Sequence, residues 1–286
     1  MCLTGAERFK EICEDKQPVW MGIVNLTPDS FSDGGKFNSK QNAIQKAISL
    51  FKHGARIIDF GGVSTRPFSQ CVEPKIELDR VYDIIKSVRN ILPSKILISI
   101  DSFSPIVMNE LAKDNLIDII NDQFSSRRAE NIEIENITKN RNAAQVAAYY
   151  DLGYIIMHMQ GIPKTMQLDP QYYNCSQQVY DFLMERMQYV QSEGVKFLAL
   201  DPGIGFGKSL EHNLELLSEP FIKKLTNLNA PILIGVSRKS FIGMVHQELT
   251  DPLLRDEMSK KYEMQSIACG AKIIRTHVMP AELGIT

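Results

Sequence analysis

The stretch VWMGIVN, residues 19 to 25, decides the fold. It is apolar on successive rather than alternate residues, as a strand covered on both faces must be, and it turns polar only at Asn25. The loop that follows, LTPDSFSDGG (26 to 35), crowds Thr27, Asp29, Ser30, Ser32 and Asp33 around one ring, Phe31. It ends on Gly34-Gly35, which gives the backbone room to move. TPDS and DGG are also ordinary turn formers, so this loop alone leaves open whether it closes over a ligand or only reverses the chain.

The same pattern recurs along the chain in RIIDFGG (56 to 62), KILISID (95 to 101), DIIND (118 to 122), YIIMHM (154 to 159), FLALDPG (197 to 203), PILIGVS (231 to 237) and AKIIRTH (271 to 277). Helical periodicity fills the intervals. In residues 104 to 114, Ser104 is a good N-cap, Pro105 suits the first helical position, and Val107, Met108, Leu111 and Ala112 share one face. Another helix is expected from Ser176, with Val179, Leu183, Met187 and Val190 at helical spacing. Eight buried strands alternating with amphipathic helices predict an α/β fold, a single-domain (β/α)8 TIM barrel; alternation alone also admits a doubly wound open sheet. Each strand turns polar at its carboxyl end: Asn25, Asp59, Asp101, Asn121-Asp122, His158, Asp201, Ser237, and Arg275 with His277. In a barrel these ends converge on the mouth where such folds keep their sites. For His158, flanked by Met157 and Met159, a structural role is the better reading.

With 286 residues, 44% hydrophobic and 23% charged, the chain has the composition of a globular protein. It has no run of 18 apolar residues, and MCLTGAERFKEICEDK is too charged for a secretory signal, so a cytoplasmic protein without membrane contact is expected. A net charge of -2 argues against a nucleic-acid partner. The five cysteines lack zinc or disulfide spacing and read as packing thiols. Residues 1 to 18 are predicted to form a helical extension to the barrel of residues 19 to 286, with Thr4 and Glu7 at capping-box spacing and Leu3, Phe9, Ile12 and Cys13 on its apolar face. The segment VMPAELGIT after His277 is a poor helix, so the eighth barrel helix is expected to be short or missing. The N-terminal helix is then expected to fill the vacant outer position beside the first and last strands.

Eight motifs, in order and at their spacing, resemble the dihydropteroate synthases from Gly22 to His277. They are GIVNLTPDSFSDGG (22 to 35), GGVSTRP (61 to 67), SIDS (99 to 102), IND (120 to 122), MHMQGIPKTMQ (157 to 167), DPGIGFGK (201 to 208), GVSRKSF (235 to 241) and RTH (275 to 277). The resemblance implies a folate-biosynthesis transferase that joins 6-hydroxymethyl-7,8-dihydropterin pyrophosphate to para-aminobenzoate, releasing pyrophosphate. It also implies Mg²⁺ as cofactor, a homodimer, and inhibition by sulfonamides. Carried over residue by residue, it assigns the pterin to Asp101, Asn121, Asp201 and Lys239 with Met157 packed nearby, and the pyrophosphate to Arg275 and His277. It gives the metal to Asn25, and para-aminobenzoate to Phe31, Thr65, Pro67, Phe206 and Ser240. Asp33 and Arg66 belong to the two loops expected to close over the substrates. Asp101, Lys239, Arg275 and His277 are the expected catalytic set, Asp101 stabilising the cation left when the C–O bond breaks.

Three features depart from that pattern. Val63 and Phe68 replace a glutamate and a glycine of the second loop, Val278 stands where an aspartate is usual, and the connection across 123 to 141 is long and charged. This insertion is expected to be solvated surface, with Arg127 and Arg128 at the mouth as the alternative. Two other functions share parts of the pattern. A corrinoid methyltransferase barrel would keep Asp101, Asn121 and Asp201 but has no use for Ser-Arg-Lys or for Arg275 with His277. An inactive pterin-binding paralogue would explain Val63 and Phe68.

Overall fold

The computed structural model describes residues 3–27, 35–64, 72–127 and 141–285. Its strands are β1 (Val19–Asn25), β2 (Ile57–Gly61), β3 (Leu97–Ser102), β4 (Ile119–Asp122), β5 (Gly153–Met157), β6 (Leu198–Asp201), β7 (Leu233–Ile234) and β8 (Ile273–Thr276). All pair in parallel in the order β6-β5-β4-β3-β2-β1-β8-β7, and the bridge Leu200↔Ile232 joins the two ends into a nearly closed barrel. The seventh apolar run yields only a two-residue strand. Pro231 has no N–H to donate and Gly235 no side chain to pack, so regular pairing is confined between them.

The helices are α1 (Gly5–Glu14), α2 (Gly35–Lys52), α3 (Pro74–Ile91), α4 (Pro105–Lys113), α5 (Ala143–Tyr150), α6 (Cys175–Ser192), α7 (Leu210–Leu216), α8 (Glu219–Thr226), α9 (Ser240–Val245) and α10 (Asp256–Ala268). α4 starts as its sequence predicts, with Ser104 accepting from the Val107 N–H and Pro105 in the first turn. α6 begins one residue earlier than expected. Asn174, not Ser176, has the free side-chain oxygen, which caps the Gln177 N–H at 3.0 Å. No described helix is long and apolar enough to cross a membrane.

The helix α1 corrects the expectation for the barrel's open side. Its capping box forms, yet it does not lie in the outer ring. Phe9 and Ile12 enter a buried cluster with Val19, Met21, Ile57, Leu97, Ile119, Ile155, Ala199, Leu233 and Ile273, drawn from every strand and twice from β1. α1 therefore plugs the amino-terminal end of the barrel. The reason is geometric: nine apolar side chains at an open end demand more cover than one outer groove, and a two-residue apolar stripe fits that opening. Gly153 lets Phe9 seat, since a Cβ there would stand 2.4 Å from its ring. The plug is latched by Arg8, which pairs with buried Asp118 and donates to Ser94 O at 2.7 Å, while Asp118 also holds Arg89 at 2.6 Å.

The vacant position beside β8 and β1 is closed by other means. After β8 the described chain makes one 3₁₀ turn, Pro280–Leu283, with Met279 fully buried before it. Lys260 of α10 pairs with Glu263, donates to Val278 O at 2.9 Å and lies 4.6 Å from the Trp20 ring, so a buried ion pair and an indole cover the groove.

At the exit of β2, α3 packs against backbone. A Cβ on Gly62 would meet Val81 at 2.6 Å and Glu77 at 2.9 Å, and Arg80 donates to Gly62 O at 2.8 Å. Glu77 is fully buried, with the Ser102 hydroxyl as a polar neighbour on β3. Burial pushes its pKa up to about 7.

Two outcomes are expected. Phe9→Ala should lower the unfolding free energy by about 3–5 kcal/mol, because it opens a cavity in the plug; a urea midpoint unchanged from the parent would refute the plug. For Glu77, the folded state holds its proton up to about pH 7 whereas the unfolded chain releases it near pH 4. Stability is then lost as pH rises between these values, by a few kcal/mol in all. Glu77→Gln should flatten the melting-temperature slope between pH 5 and about 8; a slope identical to the parent's would show that Glu77 ionises freely.

Candidate active site

The parallel register sets Asn25 beside Gly61, Gly61 beside Asp101, and Asp101 beside Asn121, so four strand ends present these residues at one level of the mouth. Between β5 and β6 it pairs Met157 with Asp201. Arg275 reaches across from β8. Its Nε donates to Asp59 Oδ2 at 2.7 Å and its Nη2 to Asp101 Oδ2 at 2.5 Å. Asn121 Nδ2 donates to the same Asp59 oxygen at 3.3 Å, and Gln123 Nε2 holds the other Asp101 oxygen at 2.7 Å. Asp59, Gln123 and Arg275 thereby fix the carboxylate of Asp101.

Asp201 opens the glycine-rich turn and accepts from Gly203 N–H at 2.7 Å. Gly203 and Gly207 have positive φ, and a Cβ on either would collide with the carbonyls of His158 (1.7 Å) and Gln160 (2.4 Å). Only glycine lets the turn lie flat against the end of β5. Lys239 reaches this turn, donating to Ile204 O and standing 4.3 Å from the Phe206 ring. Met157 packs in a small apolar cluster with Phe124, Met159 and Met166, against which Phe206 rests. His277 sits one residue beyond β8, bonded through Nδ1 to Ser237 Oγ at 3.0 Å. Ser240 is exposed at the start of α9.

Not every polar strand end faces the mouth. Asp122 accepts from Tyr154 OH and from the N–H groups of Phe124 (2.9 Å) and Ser126 (2.6 Å), so it ties a turn to the sheet. His158 meets Lys208 Nζ at 2.9 Å through Nδ1, with its ring edge-on to Phe182, the structural role its flanking methionines suggest. Arg127 donates to Phe124 O at 3.2 Å and Met159 O at 3.0 Å and stacks on Phe182. It staples the turn after β4 to the end of β5. Phe31, Asp33, Thr65, Arg66, Pro67, Phe68 and Arg128 lie outside the described residues.

Sequence reasoning passed over Asp59, Gln123, Lys208 and Gln167 as site residues. Asp59 carried a signal, an ionisable residue inside an apolar run. Gln123 carried none, because its role depends on the fold of the turn after β4.

The ionisation of these groups follows from burial. It pushes Asp101 up to about 6 against the pull of Arg275, raises Asp201 against the pull of Lys239, and lowers Lys239 to about 8. Burial also works against the Arg275 charge, but Asp101 and Asp59 outweigh it and hold the guanidinium protonated. The mouth is thus a largely buried cluster of two carboxyl-bearing walls around fixed cations, suited to a polar planar ligand that carries an anion. Asn25 Oδ1 and Asp101 Oδ2 lie 3.6 and 3.7 Å from where a Cβ on Gly61 would sit, so two hard oxygens converge over bare backbone. Such donors fit Mg²⁺. No three His, Cys, Asp or Glu side chains among the described residues are grouped to hold an ion, so a metal here would share its coordination with substrate oxygens.

Comparison with known proteins agrees with this geometry. Residues 21–277 match the family described as pterin binding enzyme. The dihydropteroate synthase of Haemophilus influenzae is 39% identical over 266 residues, covering 92% of this chain and 90% of that protein. Among solved structures, the Yersinia pestis dihydropteroate synthase in complex with a sulfonamide drug superposes with a TM-score of 0.81 at 34% identity, covering 94% of this chain and 91% of that one. The Xanthomonas albilineans dihydropteroate synthase in complex with 7,8-dihydropteroate gives 0.78 at 30% identity, with 94% and 91% covered. A match over nearly the whole barrel, mouth included, means that the chain belongs to the dihydropteroate synthase family of pterin binding enzymes.

Proposed function

We propose that this chain condenses 6-hydroxymethyl-7,8-dihydropterin pyrophosphate with para-aminobenzoate to give 7,8-dihydropteroate and pyrophosphate. The observation that carries the reading is the buried array of Asp101, Asp201, Lys239 and Arg275 at the barrel mouth, close enough for each to shift another's ionisation. The relatives' activity supports the synthase over the methyl-transfer barrel and the inactive paralogue.

A pterin edge presents a ring N–H beside an exocyclic amine, which a carboxylate accepts in bidentate fashion. Asp201, desolvated at the end of β6, supplies that carboxylate, and Lys239 donates to the ring carbonyl or nitrogen. Asn121 bonds the ring's remaining polar edge. Breaking the C–O bond leaves a cation delocalised over the pterin, and Asp101, pinned by Arg275 and Gln123, stabilises it electrostatically. Arg275 and His277 meet the charge that develops on the leaving pyrophosphate. The arylamine attacks as a neutral nucleophile, so no residue need act as general base. Asn25, with Asp101 beside it, would hold Mg²⁺, which when bound supplies positive charge to the pyrophosphate oxygens. Phe206 and Ser240 border the side where para-aminobenzoate enters, and sulfonamides would compete there.

Homodimerisation is part of the reading. Met244 of α9, Leu253 and Leu254 of the 3₁₀ turn Pro252–Arg255, and Met264 of α10 are all exposed on neighbouring elements, an apolar patch that a second copy would cover. The cytoplasm is the proposed location.

Asp201→Asn and Lys239→Ala should each cost pterin affinity about 1–3 kcal/mol or more, because each leaves a buried substrate group unpaired. Calorimetric titration with a pterin analogue tests this, and unchanged affinity in both would sink the pocket assignment. Chelation of Mg²⁺ should abolish turnover while leaving binding of a simple pterin intact; equal loss of both would point to a structural metal instead.

A further inference from the structure

The glycine-rich turn after β6 has no regular secondary structure, yet its backbone polar groups are met one by one. Lys208 Nζ donates to Gly203 O at 2.9 Å and Phe206 O at 3.0 Å, with His158 Nδ1 at 2.9 Å on its third side. Gln167 Nε2 donates to Gly205 O at 2.6 Å, Tyr172 OH to Gly207 O at 2.8 Å, and Asn213 Oδ1 accepts from Gly205 N–H at 2.6 Å. Lys208 is 3% exposed, so its ammonium is not there for solubility. Burial lowers the Lys208 pKa to about 7, and a buried amine is costly unless its donors are used; here they are used on this turn. The turn carries Phe206, which borders the para-aminobenzoate side in the proposed reaction, and Ile204 O, which receives the pterin-binding Lys239.

We propose that Lys208 and Gln167 are positioning residues for substrate: from the residue that follows the turn and from the loop after β5 they pin the Gly203–Gly207 turn at one height, and so set where Phe206 and Lys239 stand. Neither touches the reacting atoms. The inference rests on the assignment of Phe206 and Lys239 to the substrate pocket. Pinning a turn by side-chain donors costs no ordering at the moment of binding, which is how preorganised contacts raise affinity. A loosened turn leaves Phe206 and Lys239 several orientations, of which one binds. The loss then falls on substrate binding rather than on the chemical step, for which Asp101 and Arg275 are held independently by Asp59 and Gln123.

The test is steady-state kinetics on the full-length chain with Mg²⁺. Gln167→Met keeps length and removes the donor; Lys208→Met removes the ammonium. Both are run beside Lys239→Ala in pterin titration and with melting curves. Gln167→Met should raise KM for para-aminobenzoate about 5- to 10-fold with kcat within about twofold and the melting temperature nearly unchanged. Lys208→Met should show a larger rise if it folds. If it does not fold, Gln167→Met decides alone. An unchanged KM in Gln167→Met, or a fall in kcat at constant KM, overturns the inference. If Lys239→Ala itself binds pterin as the parent does, the pocket assignment has failed instead, a result distinct from a normal KM in Gln167→Met while Lys239→Ala loses affinity.

Discussion

The guanidinium of Arg275, held inside the barrel between the carboxylates of Asp59 and Asp101, is the interaction on which the mouth depends. Asp59 is fully buried and Asp101 and Arg275 are mostly so, and each alone would carry a desolvation penalty of several kcal/mol. Removing one partner would leave the others uncompensated, so the triad is poor as a source of stability and strong as a constraint on position. It ties β8 to β2 and β3 across the barrel interior, beyond the strand-to-strand pairing of the sheet. Asn121 joins on the Asp59 side and Gln123 on the Asp101 side, so the carboxylate offered to a ligand has its direction set from three elements before anything binds. Preorganisation of this sort stabilises charge that develops in a reaction without reorganisation at that moment.

The two ends of the barrel divide the work. At the amino-terminal end, apolar side chains from every strand meet Phe9 and Ile12, and the Arg8–Asp118 pair latches that packing in place. At the carboxyl end, the inward positions of the same strands become Asn25, Asp59, Asp101, Asn121, Asp201 and Arg275. Burying these polar groups is possible because they satisfy one another. The plugged, apolar end provides the rigidity against which the polar end can be held strained in electrostatics yet fixed in geometry.

The strands were legible because they are continuous apolar runs, and a barrel follows from eight of them alternating with helices. The polar residue at each strand end was legible too, but its direction was not. Asp122 and His158 end strands as convincingly as Asp101 and Asp201, yet both turn away to tie loops, since inward and outward positions alternate with a period of two and the register is set by partners distant in sequence. The place of α1 was misread for a related reason. Periodicity shows that Phe9 and Ile12 need cover, but which surface is open to receive them is decided by all eight strands together. Lys208 and Gln167 stood in motifs that were plainly visible, and only the path of the backbone shows that their partners are carbonyls of another loop.

The departures from the family pattern can be weighed on the same physical footing. Val63 is buried, next to Gly62, whose Cα is covered by Glu77 and Val81 of α3. Valine needs no hydrogen-bond partner in that buried position, whereas a glutamate there would. Val278 is accommodated similarly: its carbonyl, rather than its side chain, is the group in use, accepting from Lys260 on the outer side of β8. Neither substitution touches the Asp59–Arg275–Asp101 triad or the turn that carries Phe206. The hydrogen-bond partners that hold Asp59, Arg275 and Asp101 include neither Val63 nor Val278, so the fixing of the triad does not depend on either position.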